Sequence, residues 1–483
     1  MTSNPIITLF RRVTQFKRLP SARLLNEWEP DDKQLPGFVR RSAVAKRYLA
    51  LLSPLAWERL PARNPLPHSH QPAVPHRALA AACLIQLDQQ LVSISKLREY
   101  LVEHPELVWL LGFPVQADRN FSWGFDPAAS LPTARHLTHL LRVMPNAVLQ
   151  LLLDSTVELL QAELAEVGIT LGQTISIDTK HILAWVVENN PKAYVSESRR
   201  LDKTRQPKGD RHCKLGCKRK RNRPPLTEQG QPETPTKEAG PPTNFSAKDE
   251  YYWGYASGVV ACKIPDWGEF VLAELTQTFN HDDLTYFFPL LNQVEHRLGH
   301  KPPSGACDAA FDAWYVYDYF HLAGGFAAVP LVPRGGVKDR AFDEHGLPLC
   351  QAGLPMPLKS TYWSKSSLVH HQAGRYACPL LFPQPSAHSC PIDHHKWADG
   401  GCLTSMPIAA GARIRYQLDR DGQAYQDLYN QRSATERINS QATALGIERP
   451  KLRNHQAIAR NTLIYILINL RALHRIRKLK PLL

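Results

Sequence analysis

Near Leu171 the spacing of the apolar residues changes, and this switch limits the fold of the 483-residue chain more than any other feature. Before it, apolar residues recur every three or four positions, as over Arg77–Phe113 and again from Thr133, with Pro105, Pro114 and Pro145 as breaks. That spacing predicts an all-helical region over residues 1–165. After it, β-branched and aromatic runs take over. The stretch "TISIDTKHILAWV" from Thr174 reads as a strand, and Tyr251–Lys263 and Gly268–Thr278 read as an antiparallel pair turning across "IPDW". An amphipathic helix is expected over His281–Leu298, with acidic residues at the end where the helix dipole favours them. A short strand over Ser304–Asp312, a helix from Ala313, a strand over Gly324–Arg334 and helices from about Tyr425 complete the order. Three antiparallel strands, then helix, strand, helix, strand, describe an α/β fold: a mixed sheet with flanking helices.

Two insertions interrupt this order. Residues 188–250 hold the basic tract "SRRLDKTRQPKGDRHCKLGCKRKRNR" and then a Pro/Thr/Glu-rich stretch, a composition that buries little apolar surface and reads as a disordered loop. Simple solvation and direct phosphate contact are equal readings for it, the latter through Arg219, Lys220 and Arg221. Residues 335–420 form the second insertion, with Cys350, Cys378, Cys390 and Cys402 and with His388, His394 and His395 nearby. Four Cys or His ligands would hold a tetrahedral Zn²⁺, but the spacing is irregular and no CxxC pair is present, so free thiols are the first reading and a zinc site the second.

The charge narrows the partner class. A formal net charge of +14 makes a surface that attracts polyanions, nucleic acid foremost. The longest apolar run near the C-terminus, Leu463–Leu470, falls far short of the roughly 20 residues that cross a bilayer. Nine cysteines without an export signal favour reduced thiols, and a cytoplasmic location is expected.

Three carboxylates carry the chemistry. Asp178 finishes the first strand run, where an unpaired buried carboxylate is costly, and Asp308 finishes another. Glu436 lies in "YNQRSATERINSQ", where Tyr429, Arg432 and Glu436 fall at i, i+3 and i+7 on one helix face. Taken singly, these are strand-end punctuation and a helix-surface ion pair. Taken together, acids at neighbouring strand ends converge on one sheet edge, and a crossing helix adds a third. Such hard oxygen ligands with open positions suit Mg²⁺. Two such ions about 3.5–4 Å apart activate an attacking oxygen and stabilise the leaving one in phosphodiester chemistry.

The segments "SIDTKHI", "ELTQTFNHDD", "GACDAAFDAWYVYDYF", "YNQRSATERINS" and "ARNTLIYILINLRAL" occur in this order over most of the chain from about Gly172. In that order they resemble the DDE transposases of bacterial insertion sequences: the first-aspartate strand, the third strand and following helix, the second-aspartate motif, the Tyr-x-x-Arg-x-x-x-Glu pattern and the closing helix. The resemblance implies an RNase H-like catalytic domain over 166–483, with Asp178, Asp308 and Glu436 catalytic and ligating Mg²⁺ or Mn²⁺. Asp312 is the rival to Asp308. It further implies DNA contacts from Lys180 and Arg432, a DNA-binding role for the helical 1–165 region, and a homo-oligomer acting on terminal inverted repeats and target DNA. The family's Lys beyond the Glu motif is Thr443 here, leaving Arg437 or Lys451 as substitutes. The alternatives are an inactive DNA-binding derivative and an RNase H-like nuclease of another role.

Overall fold

The long strands form where the apolar runs place them. In the computed structural model, which describes residues 24–28, 33–63, 73–190, 196–218, 250–332, 340–365, 367–453 and 455–480, one six-stranded sheet organises the chain. Its strands are β1 (Thr174–Leu183), β2 (Lys214–Lys218), β3 (Glu250–Ile264), β4 (Gly268–Thr278), β5 (Ser304–Cys307) and β6 (Ala327–Ala328). β3 runs antiparallel to both β1 and β4, while β1, β5 and β6 are mutually parallel neighbours. The fold is mixed α/β. The reversal between β3 and β4 is tight enough that Asp266 adopts a positive φ of 66°.

Helices cover both faces. α1 (Asn146–Ala165) closes the N-terminal region, α2 (Phe287–Leu298) and α3 (Trp314–Leu322) flank β5, and α4 (Gly411–Gln417), α5 (Gln423–Asn430), α6 (Ser433–Ala444) and α7 (His455–Leu479) follow the second insertion. Residues alternate sides along β1. Ile182 joins a core with Trp253, Tyr255, Ile438 and the buried run of α7, whereas Ile175 and Ile177 join Phe270, Phe287, Leu290 and Phe320 on the opposite face. The first of these cores continues without a break into the N-terminal helices, through Leu49, Leu84, Leu101 and Leu152. Burying such side chains stabilises by about 1.5–3 kcal/mol each, so the sheet and the helices before residue 165 share their main driving force.

The N-terminal helices Ala43–Leu52, Ile94–Glu103 and Ala134–Val143 start at Ser42, Ser93 and Thr133, whose hydroxyls accept the amides of Ala45, Lys96 and His136. The region is not all helix, however. Gln116–Ala117 pairs antiparallel with Phe125–Asp126, a two-residue ladder too short for a periodicity to reveal.

The basic insertion also departs from the loop reading. Lys214–Lys218 is an edge strand paired with Glu250–Gly254, extending the edge of β3 where β4 stops. Cys213 and Leu215 are buried, and Asp210 caps the approach by accepting the amides of His212 and Cys213 and the hydroxyl of Tyr255. Two inward apolar side chains and one buried carboxylate outweigh the charge of the tract. Arg219, Lys220 and Arg221 lie outside the described residues. The strand expected over Gly324–Arg334 shrinks to Ala327–Ala328, since Pro330 has no amide to extend a ladder.

The second insertion holds a three-stranded antiparallel sheet, β7 (Leu358–Ser364), β8 (His371–Ala377) and β9 (Leu403–Pro407), with β8 central. Among the described residues, no single helix is long and apolar enough to cross a membrane.

Candidate active site

Parallel pairing of β1 with β5 ends at Ile177 opposite Cys307, so the next residues of the two segments, Asp178 within β1 and Asp308 just past the end of β5, come side by side. Asp178 does not end its own strand, as its sequence suggested. β1 continues to Leu183 against β3, with Asp178 opposite Val259; what ends here is its parallel neighbour. Asp308 turns the chain into a short helical turn, Ala309–Phe311, by accepting the amide of Ala310 at 2.9 Å.

These acids strain one another electrostatically. Burial pushes the Asp178 carboxyl up to about 6, and the charge of Asp308 adds to the rise. Burial likewise raises Asp308, while the guanidinium of Arg432 opposes the rise at both. A further carboxylate belongs here that the sequence reading passed over. Asp283 accepts the hydroxyl of Thr179 at 2.7 Å, is raised by burial, and repels both Asp308 and Asp178. In "HDDLTYFF" it reads as one more acid at a helix start. No sequence signal marked it: the expected helix begins with a separate four-residue turn, Asp283–Tyr286, ahead of α2, and the acid stands at its start.

The third acid arrives on α6. The expected single helix face is broken, because Tyr429 belongs to α5, Arg432 lies between the helices and Glu436 stands in the first turn of α6. Arg432 nevertheless bridges the break: it pairs with the Glu436 carboxylate and lies over the Tyr429 ring, 6.0 Å from its centroid. Glu436 and Asp178 line one cavity of about 580 Å³ together with Lys180, Asn439, Ser440 and Arg449. α6 is tied across the sheet: the Thr435 amide donates to Ser176 Oγ at 3.2 Å, Asn439 Nδ2 donates to Asp178 Oδ2 at 3.0 Å, and Arg437 pairs with Glu269 at 2.6 Å.

The donor set is one of hard oxygens whose mutual repulsion is offset only in part, by Arg432, and in that respect it fits Mg²⁺ or Mn²⁺. Among the described residues, no group of three His, Cys, Asp or Glu side chains is placed to hold a metal ion as it stands.

Other candidates are otherwise engaged. Asp312 is buried and accepts two guanidinium nitrogens of Arg415, at 2.8 and 2.6 Å, as well as the Tyr317 hydroxyl and the Val332 amide. Its oxygens are filled by partners that tie the second insertion to the sheet. Lys180 pairs with Glu448 at 2.5 Å, and the His181 ring packs 4.5 Å from that of Phe279. Thr443, at the position of the family's Lys, donates to the carbonyl of Asn439 in its own helix, and Lys451 lies over the Trp185 ring. In the second insertion, Ala377 pairs with Leu403, so the adjoining Cys378 and Cys402 meet. Burial pushes the Cys402 thiol up to about 12, with the charges of Cys378 and Cys350 adding to the rise. Cys390 lies in the loop between β8 and β9.

Compared with known proteins, the chain matches no family model and no curated protein.

Proposed function

We propose that this chain is a DDE transposase with an RNase H-like catalytic domain, cutting DNA at the ends of an insertion sequence and joining the freed 3′ ends to target DNA. The observation that carries the reading is the meeting of Asp178 and Asp308 on adjacent parallel strands, with Glu436 lining the same cavity as Asp178. The sheet order supports the RNase H-like part: the strand bearing the first acid lies between the antiparallel pair and the parallel strand bearing the second. Asp178 and Asp308 would hold Mg²⁺ or Mn²⁺, and Glu436 would join them on leaving Arg432. Bound there, the metal supplies activation of the attacking oxygen and charge stabilisation of the leaving one. The protein's own share is positioning and electrostatics. Arg432, paired with Glu436 and acting electrostatically on both aspartates, balances their charge or meets a phosphate. The N-terminal helices and the basic tract grip DNA, and the active species is a multimer on the element ends.

A DNA binder without chemistry is the second reading, favoured by Thr443 standing where the family has Lys. The test uses duplexes made from the sequences that flank the chain's own coding region, with Mg²⁺. Strand cleavage is expected from the wild type and not from Asp308→Asn, which retains DNA binding. Cleavage by Asp308→Asn at the wild-type rate would sink the mechanism, and binding without cleavage by the wild type would favour the second reading.

A further inference from the structure

Asn439 is 7% exposed, and the two ends of its amide are treated differently. Nδ2 donates to Asp178 Oδ2 at 3.0 Å. Oδ1 is buried and, among the described residues, has no hydrogen-bond partner. Rotating the amide by half a turn does not resolve this, because it would set Oδ1 against the lone pairs of the Asp178 carboxylate. A buried amide oxygen left without a partner is destabilising, because it has given up its bond to water for nothing. The residue is therefore held in an arrangement that favours Asp178 at the expense of its own oxygen. Asn439 stands one helical turn beyond Glu436 and lines the same cavity as Glu436 and Asp178. The orphaned oxygen is thus a hard, neutral donor atom on a side chain already bonded to the Asp178 carboxylate.

We propose that Asn439 is a positioning residue of the acidic site: one end of its amide holds the Asp178 carboxylate, and the other offers an oxygen to a divalent cation bound there or to that cation's water. The inference rests on the reading of Asp178 as a metal ligand. A purely structural role, pinning α6 to the sheet, makes a different expectation. α6 has a second tie to the same strand, the Thr435 amide to Ser176 Oγ at 3.2 Å, which does not touch the carboxylate. Removing that tie loosens the helix alone; removing the Asn439 amide frees the carboxylate.

The experiment titrates Mn²⁺ into the full chain and reads the free ion by its electron paramagnetic resonance signal. It compares the wild type with Asn439→Ala, Asn439→Leu, Ser176→Ala and Asp178→Asn, and measures kcat and KM for DNA on the same samples. Both Asn439 variants are expected to bind Mn²⁺ roughly 10–100-fold more weakly, the range typical of groups that orient a metal ligand. They should lose kcat with little change in KM, while Ser176→Ala binds the ion as the wild type does. Wild-type Mn²⁺ affinity in the Asn439 variants, alongside its loss in Asp178→Asn, would overturn the positioning role and leave the acidic site standing. Equal weakening by Ser176→Ala would reduce Asn439 to a clamp on the helix. Undiminished binding by Asp178→Asn would remove the metal-site reading itself, and the inference with it. Leu fills the volume of the amide, so one folded Asn439 variant suffices. Failure of both to fold while Ser176→Ala folds would assign the residue to the core and overturn the proposal.

Discussion

Arg432 and Glu436, one helical turn apart, form an ion pair beside the cavity that Asp178 lines. Their side chains are 26% and 55% exposed, so the pair contributes little to stability, about 0.5 kcal/mol or less. Its importance lies in the charge that Arg432 directs at Asp178 and Asp308. Arg432→Ala is expected to leave the thermal midpoint almost unchanged and to slow DNA cleavage by roughly tenfold or more, a loss on the order of 1.4 kcal/mol in the barrier. A several-degree fall in the midpoint would instead make Arg432 a structural residue.

The raised carboxyl of Asp178 ties stability to pH in a definite direction. In the folded chain it holds its proton up to about 6, whereas an unfolded Asp releases it near 3.9. The folded state therefore binds more protons between these values, and the stability this confers is present at low pH and lost as pH rises through about 6. With metal chelated, the wild type should gain roughly 1–2 kcal/mol from Asp178 between pH 7.5 and 5. Asp178→Asn should lack that gain and be the more stable of the two at pH 7.5. Urea melts at both pH values measure it; parallel behaviour of the two proteins would contradict the assignment.

Asp312 and Asp308, four residues apart, should respond in opposite ways to substitution. Asp312→Ala strands the buried guanidinium of Arg415, whose side chain is 13% exposed, and is expected to cost about 3–5 kcal/mol in urea unfolding. Asp308→Asn removes a repelling charge and should leave stability unchanged or slightly higher. A destabilised Asp308→Asn would make that carboxylate part of the scaffold.

Lys180 is held by Glu448, whose side chain is 45% exposed, and a DNA phosphate is a ready replacement for that carboxylate. Lys180→Ala should weaken DNA binding and reduce the slope of log affinity against log salt by about one. An unchanged slope would remove Lys180 from the interface.

The sheet was readable from the chain because its strands are long and apolar. β1 and β4 fall within the runs from Thr174 and Gly268, and β3 overshoots the run from Tyr251 by one residue at each end, all where β-branched and aromatic residues cluster. β2 was hidden because composition was weighed over a window, and Cys213 and Leu215 are outnumbered there by Lys and Arg. At the site, Asp178, Asp308 and Glu436 could be named from their motifs, yet their surroundings could not. Asp283 reaches Thr179 across 104 positions and Asn439 reaches Asp178 across 261. Each is a single polar side chain whose meaning comes only from register: Thr179 faces one side of β1 and Asp178 the other. The same holds for Asp312, which looks like a catalytic rival until Arg415, 103 positions away, closes on it.

The tie between α6 and β1 also sets an order of assembly. Asp178 and Asp308 leave the ribosome long before Ser433–Ala444, and α7, which completes the core shared with the N-terminal helices, emerges later still. A chain stopped before Arg432 lacks Arg432, Glu436 and Asn439 around the aspartates. It also lacks residues 432–483, whose 11 Lys and Arg against 2 Asp and Glu carry +9 of the formal net charge of +14. The carboxylate constellation and most of the net positive charge are thus completed together, late in synthesis, and an interrupted translation product has neither.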